Sequence, residues 1–249
     1  MRTLFLQAKG ISKQFYHVQA LNQVDLEIYS GEVLAIVGDN GAGKSTFIKL
    51  LSGTLKPDEG ILKIYKEEYK SLSPKEALKA GISTVYQDLA LGDTKDVSAN
   101  IFLGQEISRF GVLNKKRMWQ ISQELINQMR VNIPDVTVPV GLLSGGQRQA
   151  VAVARLMRRG GQLFIFDEPT AAMGFKESQA VLELLKQLAQ SGKGVILISH
   201  NLPQVFQISD RIAVFRQGRV EAVRETCNTD INQIVSLITG SGQTNGEIL

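Results

Sequence analysis

The stretch that decides the fold is Val33-Leu34-Ala35-Ile36-Val37-Gly38-Asp39-Asn40-Gly41-Ala42-Gly43-Lys44-Ser45-Thr46. Its first five residues are apolar and strand-sized. Gly38 to Thr46 then fits G-x-x-x-x-G-K-[ST], and Lys44 to Leu51 reads as a helix. Strand, glycine loop and helix in that order are the context in which this motif cradles phosphate. The glycines let the backbone curl so that successive N–H groups face inward as an anion nest. The helix start adds free N–H groups and the positive end of its dipole. Lys44 can reach β- and γ-phosphates as a cation, and Ser45 offers a hydroxyl to Mg²⁺. Gly38, Asp39, Asn40, Gly41, Ala42, Gly43, Lys44, Ser45 and Thr46 are therefore the candidate residues for a nucleotide.

Two further runs resemble the first: Leu163-Phe164-Ile165-Phe166 and Val195-Ile196-Leu197-Ile198. Runs that are polar on neither side fit strands buried on both faces, hence a parallel sheet in an α/β protein. The length, 249 residues, suits one large domain or one domain with an insertion. Ser73-Pro74-Lys75-Glu76 opens a helix with a capping box and Gly81 closes it. Lys176 to Gln190 is amphipathic, with Val181, Leu184, Leu185 and Leu188 on one face. The first 30 residues and Gly60 to Tyr65 read as short strands of mixed polarity, an antiparallel layer beside the parallel core. The middle, about Asp88 to Arg159, reads as an inserted helical subdomain. Met118, Ile121, Leu125, Ile126 and Met129 recur around Trp119 as its core, and Pro134 and Pro139 mark a loop before the next helix. The domain is expected to span 1–240. The glycine-rich end, Ser236 to Leu249, is expected to fray, leaving 241–249 as a flexible tail.

Composition excludes several classes. Lys and Arg number 28 against 24 Asp and Glu, a net charge of +4, too weak to argue for nucleic acid. The single cysteine, Cys227, excludes an intrachain disulfide framework and a multi-cysteine metal site. No apolar run approaches the ~20 residues that span a bilayer, and Met1 to Gln7 has no signal-peptide core. A soluble protein that meets a membrane through a partner is expected.

Candidate chemistry gathers at strand ends. Leu163 to Phe166 runs into Asp167-Glu168. A carboxylate at such an end can hold Mg²⁺ beside a phosphate loop, which suits Asp167. Glu168, pointing the other way if the strand persists, can polarise the attacking water as general base. His200 follows the strand Val195 to Ser199, where its imidazole can contact a γ-phosphate or orient the water. Gln87 follows Ile82-Ser83-Thr84-Val85-Tyr86, where an amide oxygen can ligate Mg²⁺. Leu143-Ser144-Gly145-Gly146-Gln147-Arg148-Gln149 precedes a helix through Val151, Ala154 and Leu156. Ser144 is a good N-cap and the glycines leave backbone N–H groups open, so this is a second anion-binding helix start.

Taken together, the chain strongly resembles the nucleotide-binding subunit of ABC transporters over about residues 3 to 240. The motifs occur in the family's order: Walker A at Gly38 to Thr46, the Q-loop at Gln87, the signature at Leu143 to Gln149, Walker B at Leu163 to Asp167, Glu168 and the switch His200. The resemblance implies a P-loop NTPase fold with a RecA-like mixed core, an N-terminal antiparallel β layer and an inserted helical subdomain. It implies ATP and Mg²⁺ as ligands and Phe15 as the ring that stacks on adenine, with Tyr16 as the fallback. It also implies a head-to-tail dimer of two ATPase subunits in which Ser144, Gly145, Gly146 and Gln147 serve the partner's ATP, with Glu168, His200 and Lys44 carrying catalysis. A membrane permease then places the protein at the cytoplasmic face of the inner or plasma membrane, supplied by a periplasmic or surface sugar-binding protein.

Several segments look like the ATPases of simple-sugar importers of the ribose, xylose and fructose type: Val85 to Leu91, Asn100-Ile101-Phe102-Leu103-Gly104, Asp167 to Gly174, and Ser199 to Pro203. Gly174 stands where the wider family usually has Asp. That branch often fuses two halves; one half with every site intact implies a homodimer. An exporter ATPase, a soluble ABC ATPase acting on DNA or ribosomes, and a non-hydrolysing binding module are the competing readings. Glu168 and His200 together argue against the last.

Overall fold

A computed structural model describes residues 3–241. The chain opens with β1 (Thr3–Phe15) and β2 (Val18–Ser30), antiparallel strands of 13 residues each. They are long, where the sequence reading expected short ones. Register shifts between Ala8 and Ile11 and between Ile11 and Gln14 break the period-two pattern, so each strand reads as shorter pieces. β3 (Val33–Val37) leads through the glycine loop into α1 (Lys44–Leu51). β4 (Glu59–Ile64), β5 (Glu67–Tyr69), α2 (Pro74–Lys79) and β6 (Ile82–Val85) follow. Ser73 caps α2 through both bonds of the expected capping box, and Gly81 turns the chain at φ 85°.

Residues 88–159 carry α3 (Val97–Ile101), the strand pair β7 (Ser108–Arg109) and β8 (Val112–Leu113), α4 (Lys115–Gln128) and α5 (Gly145–Arg159). The segment expected to be helical therefore includes a β-hairpin. Phe110 and Gly111 turn it with φ of 51° and 79°, the left-handed pair of a tight hairpin turn. Met118, Ile126 and Met129 are buried as expected, and Trp119, Ile121 and Leu125 partly so. Ser122 is buried among them and donates to Ser98 Oγ at 3.0 Å, tying α4 to α3.

The chain continues through β9 (Leu163–Asp167), α6 (Phe175–Gln190), β10 (Gly194–Ile198), α7 (Leu202–Ile208), the antiparallel pair β11 (Arg211–Arg216) and β12 (Arg219–Glu225), and α8 (Ile231–Thr239). On α6, Val181, Leu184 and Leu185 are buried as expected, with Leu182 and Ala189 in addition. Residues 236–239 do not fray as the sequence reading expected: they form the last turn of α8, which buries Ile234 and ends at Gly240 with φ 77°. Of the expected tail, 242–249 lies outside the described residues.

Two sheets carry the fold. One runs β2-β1-β4-β5 and is antiparallel; the other runs β12-β11-β3-β10-β9-β6. In the second, β11, β3, β10, β9 and β6 are parallel to one another, and β12 adds an antiparallel edge to β11. Alternate residues of its central strands enter two different cores. Val33, Ala35, Phe164, Phe166, Val195 and Leu197 pack with α5 and α6. Leu34, Ile36, Leu163, Ile165, Ile196 and Ile198 pack with α1 and the antiparallel sheet. Burial on both faces explains the unbroken apolar runs.

Ile196 lies at the centre of that sheet, fully buried. Ile196→Ala is expected to cost about 2–5 kcal/mol, seen as a lower urea midpoint with an unchanged slope. A wild-type midpoint would contradict the burial of Ile196 between the sheet and α1.

Candidate functional site

A cleft of 330 Å³ opens at the carboxyl ends of the parallel strands. Residues 40–46, Gln87, Asp167, Glu168 and His200 line it, and Phe15, Val18 and Ala20 form its apolar end. Gly43 caps α1 in the left-handed region without a side-chain bond, so the helix presents free N–H groups to the cleft. A Cβ on Gly43 would lie 2.6 Å from the Ala20 carbonyl oxygen. Gly38 sits beneath the loop at φ 146°, where a Cβ would lie 2.1 Å from the Phe215 carbonyl oxygen. Only glycine fits either place. Asp39 lines the adjoining hollow beside Arg216 and Thr239. Lys44 folds back over the loop, its Nζ donating to the carbonyls of Gly38 at 2.6 Å and Asp39 at 2.9 Å. Burial holds its pKa below the ordinary lysine value, against the pull of Glu168, Asp167 and Asp39.

Asp167 is buried at the end of β9. Burial and, next, the charge of Glu168 push its carboxyl above the usual aspartate range, opposed by Lys44, Lys49 and the Gln87 backbone N–H. Glu168 does not continue the strand. Its φ is 52°, so the backbone turns left-handed after Asp167, and this turn rather than strand alternation aims its carboxylate. The Glu168 N–H donates to the Ile198 carbonyl at 2.9 Å. Its Oε1 accepts from the His200 N–H at 3.0 Å and lies 2.8 Å from His200 Nδ1. The acid is thus fixed at backbone and carboxylate alike by the end of β10 and the residues after it.

Phe15 lines the apolar end with its ring 42% exposed, under Lys13 at 5.6 Å from the ring centroid. Tyr16 stands 95% exposed in the β1–β2 turn and does not line the cleft.

Ser144, Gly145, Gly146 and Gln147 lie apart from the cleft. Ser144 caps α5: its Oγ accepts from the Gln147 N–H at 3.3 Å, and Gln147 Oε1 accepts from the Ser144 N–H at 2.9 Å. Gln147 Nε2 also donates to the Asn132 carbonyl at 2.7 Å, which leaves the Ser144 hydroxyl hydrogen and the glycine backbone as the donors of this turn.

Two residues of α5 have roles that the sequence reading did not assign. Gln149, buried, donates to the Glu168 carbonyl at 3.1 Å and braces the left-handed turn. Arg155 donates to the carbonyls of Leu89 at 2.5 Å and Ala90 at 2.9 Å, holding the segment beyond Gln87. Helical spacing hides both, since their acceptors lie on other elements.

A family model described as ABC transporter matches residues 21–171. The chain belongs to the ABC transporter family. The xylose/arabinose import ATP-binding protein XylG of Sulfolobus acidocaldarius is 42% identical over 94% of this chain and 93% of that protein. The fructose import ATP-binding protein FrcA of Rhizobium meliloti is 42% identical over 95% and 94%. Against the ribose import ATP-binding protein RbsA of Yersinia pestis, 37% identical, the match covers 94% of this chain but 46% of the relative. Among solved structures, a dimeric post-hydrolysis state of the ATP-binding cassette MJ0796 with ADP and Pi superposes with a TM-score of 0.79 at 26% identity, over 89% of this chain and 98% of that one.

As an ABC cassette the chain binds ATP. Its donors also suit a hard cation. Among the described residues no three His, Cys, Asp or Glu side chains gather to hold a metal alone. The cleft instead offers the Ser45 hydroxyl, the Gln87 amide and the Asp167 carboxylate, an all-oxygen set to which phosphate and water would add the rest. Asp167, buried and lifted by its neighbour's charge, fits a carboxylate awaiting a cation.

Gln149→Leu keeps the volume and removes the brace on Glu168. ATP turnover is expected to fall about ten- to a hundredfold, with ATP affinity unchanged in a nucleotide titration. Wild-type turnover would deny Gln149 any part in aiming the acid.

Proposed function

We propose that the chain hydrolyses ATP in this cleft and powers import of a simple sugar through a membrane permease. The observation that carries the reading is the Glu168 carboxylate, fastened to His200 at the mouth of the phosphate loop and beside buried Asp167. Phe15 stacks on the adenine. Free backbone N–H groups among residues 40–46, which line the cleft, hold the phosphates, and Lys44 leaves its two carbonyl partners to neutralise the β- and γ-phosphates. Ser45, Gln87 and Asp167 would hold Mg²⁺, which supplies charge to the phosphate oxygens when bound. Glu168 takes a proton from the water that attacks the γ-phosphorus, the bond to the β-phosphate oxygen breaks, and ADP and phosphate result. His200 keeps the acid in place.

The capped signature turn completes the site from a second copy. Ser144, Gly145, Gly146 and Gln147 are out of reach of their own cleft, and a head-to-tail pair with two-fold symmetry sets each turn over the partner's ATP. ATP then favours the closed pair, and hydrolysis releases it. The segment after Gln87, with the inserted residues 88–159 as a helical subdomain, is the contact to the permease at the cytoplasmic face of the membrane. A sugar-binding protein delivers the cargo from the other side. Both XylG and FrcA carry sugar import in their names, which supports the choice of a simple sugar. Among the described residues no helix is long and apolar enough to cross a membrane.

Lys44→Ala is expected to weaken ATP binding at least about tenfold, since a half-buried cation on phosphate is lost. Glu168→Gln is expected to retain ATP affinity, to lose about two to four orders of magnitude in turnover, and to sediment as an ATP-dependent dimer. Adding Ser144→Arg should return that dimer to monomer. A Glu168→Gln chain that stays monomeric at saturating ATP would reject the shared site. With the permease and binding protein reconstituted in vesicles, simple sugars should stimulate ATP hydrolysis; indifference to every pentose and hexose would reject the cargo class.

A further inference from the structure

The β7–β8 hairpin takes no part in the cleft, and every residue from 108 to 117 is exposed. Phe110 is 92% and Val112 72% open to solvent, with Leu113 beside them. Phe110 also occupies a left-handed turn position, φ 51°, which Asn or Gly fills at less cost than a bulky ring. The ring buries almost none of its surface there, so folding gains little from it.

The charge around it is one-sided. From Leu103 to Gln120 the sequence has Arg109, Lys115, Lys116 and Arg117 against the single acid Glu106, net +3, where the whole chain is only +4. The Arg109 guanidinium lies over the Phe110 ring at 5.4 Å. Lys115, Lys116 and Arg117 fill the first turn of α4, which has no acid. That is the positive end of the helix dipole, where cations are disfavoured. Among the described residues none of these four cations is in an ion pair. The left-handed ring and the crowded cations are two local costs. An anionic, partly apolar partner relieves the second and gives the first a use.

We propose that this hairpin docks on an anionic phospholipid surface, with Phe110 and Val112 entering the headgroup layer and Arg109, Lys115 and Lys116 on lipid phosphates. The shape selects the partner. The apolar side chains stand at and beside a two-residue hairpin turn, which suits a deformable layer, and aromatic residues flanked by cations are the composition of interfacial anchors. The inference rests on the proposed function only in needing a bilayer nearby.

The test uses the full chain, without permease, and vesicles of phosphatidylcholine with or without phosphatidylglycerol. Co-sedimentation is expected only with the anionic vesicles and should weaken as salt is raised. The triple variant Phe110→Ser, Lys115→Glu, Lys116→Glu should lose about tenfold or more of that partitioning. Its ATP affinity should match wild type, and its thermal midpoint should not fall, because the new acids suit the helix start. Equal binding to both vesicles, or a triple variant that partitions like wild type, would overturn the proposal. So would a variant that fails only to bind detergent-solubilised permease, which would assign the tip to a protein. ATP turnover, measured separately, reads the proposed function, so the two can fail independently.

Discussion

The register of the parallel ladder carries the rest of the molecule. Ile198 stands level with Asp167 on one side and with Ile36 on the other, and Val85 is level with Phe166. Four strands therefore end on one line. The phosphate loop leaves β3 there, the two acids leave β9, His200 follows β10 and Gln87 follows β6. A slip of one residue in any pairing would turn that strand's side chains to the wrong face. The apolar residues on both faces of the sheet, split between two cores, hold the pairing against such slips.

The electrostatics of the cleft are unfinished in the chain alone. Lys44 is held below its ordinary pKa by burial while Asp167 is pushed above its own by burial and by Glu168. Lys44 spends its hydrogen bonds on two backbone carbonyls. These groups suit the charge that a bound nucleotide brings, and Lys44 meets it by exchanging its two carbonyl partners for phosphate oxygens.

Much of this was legible in the residues. The parallel strands announced themselves because burial on both faces leaves no polar position. The Gly38–Thr46 loop and the Ser73 cap were legible because local backbone geometry alone demands those residues. The longer reach of β1 and β2 was not, because register shifts break their alternation. Nor was the 108–113 hairpin, whose left-handed turn carries Phe110 in place of the usual Asn. The aim of Glu168 was legible only on the condition that the strand persists, and it does not: one left-handed residue, braced by Gln149 from a distant helix, overrides the strand pattern. Contacts between elements far apart in sequence leave no periodicity to read.

The helix α5 has mechanical reach. Its 15 unbroken residues carry Ser144 at one end, Gln149 against the acid's backbone, and Arg155 clamped on Leu89 and Ala90 towards the other. At 1.5 Å per residue it is a rod of about 22 Å, so a tilt of roughly 10° swings its tip by about 4 Å. Residues 89–90, the Glu168 backbone and the Ser144 end are thus joined by one stiff shaft, so a displacement at one of them has a short lever to the others.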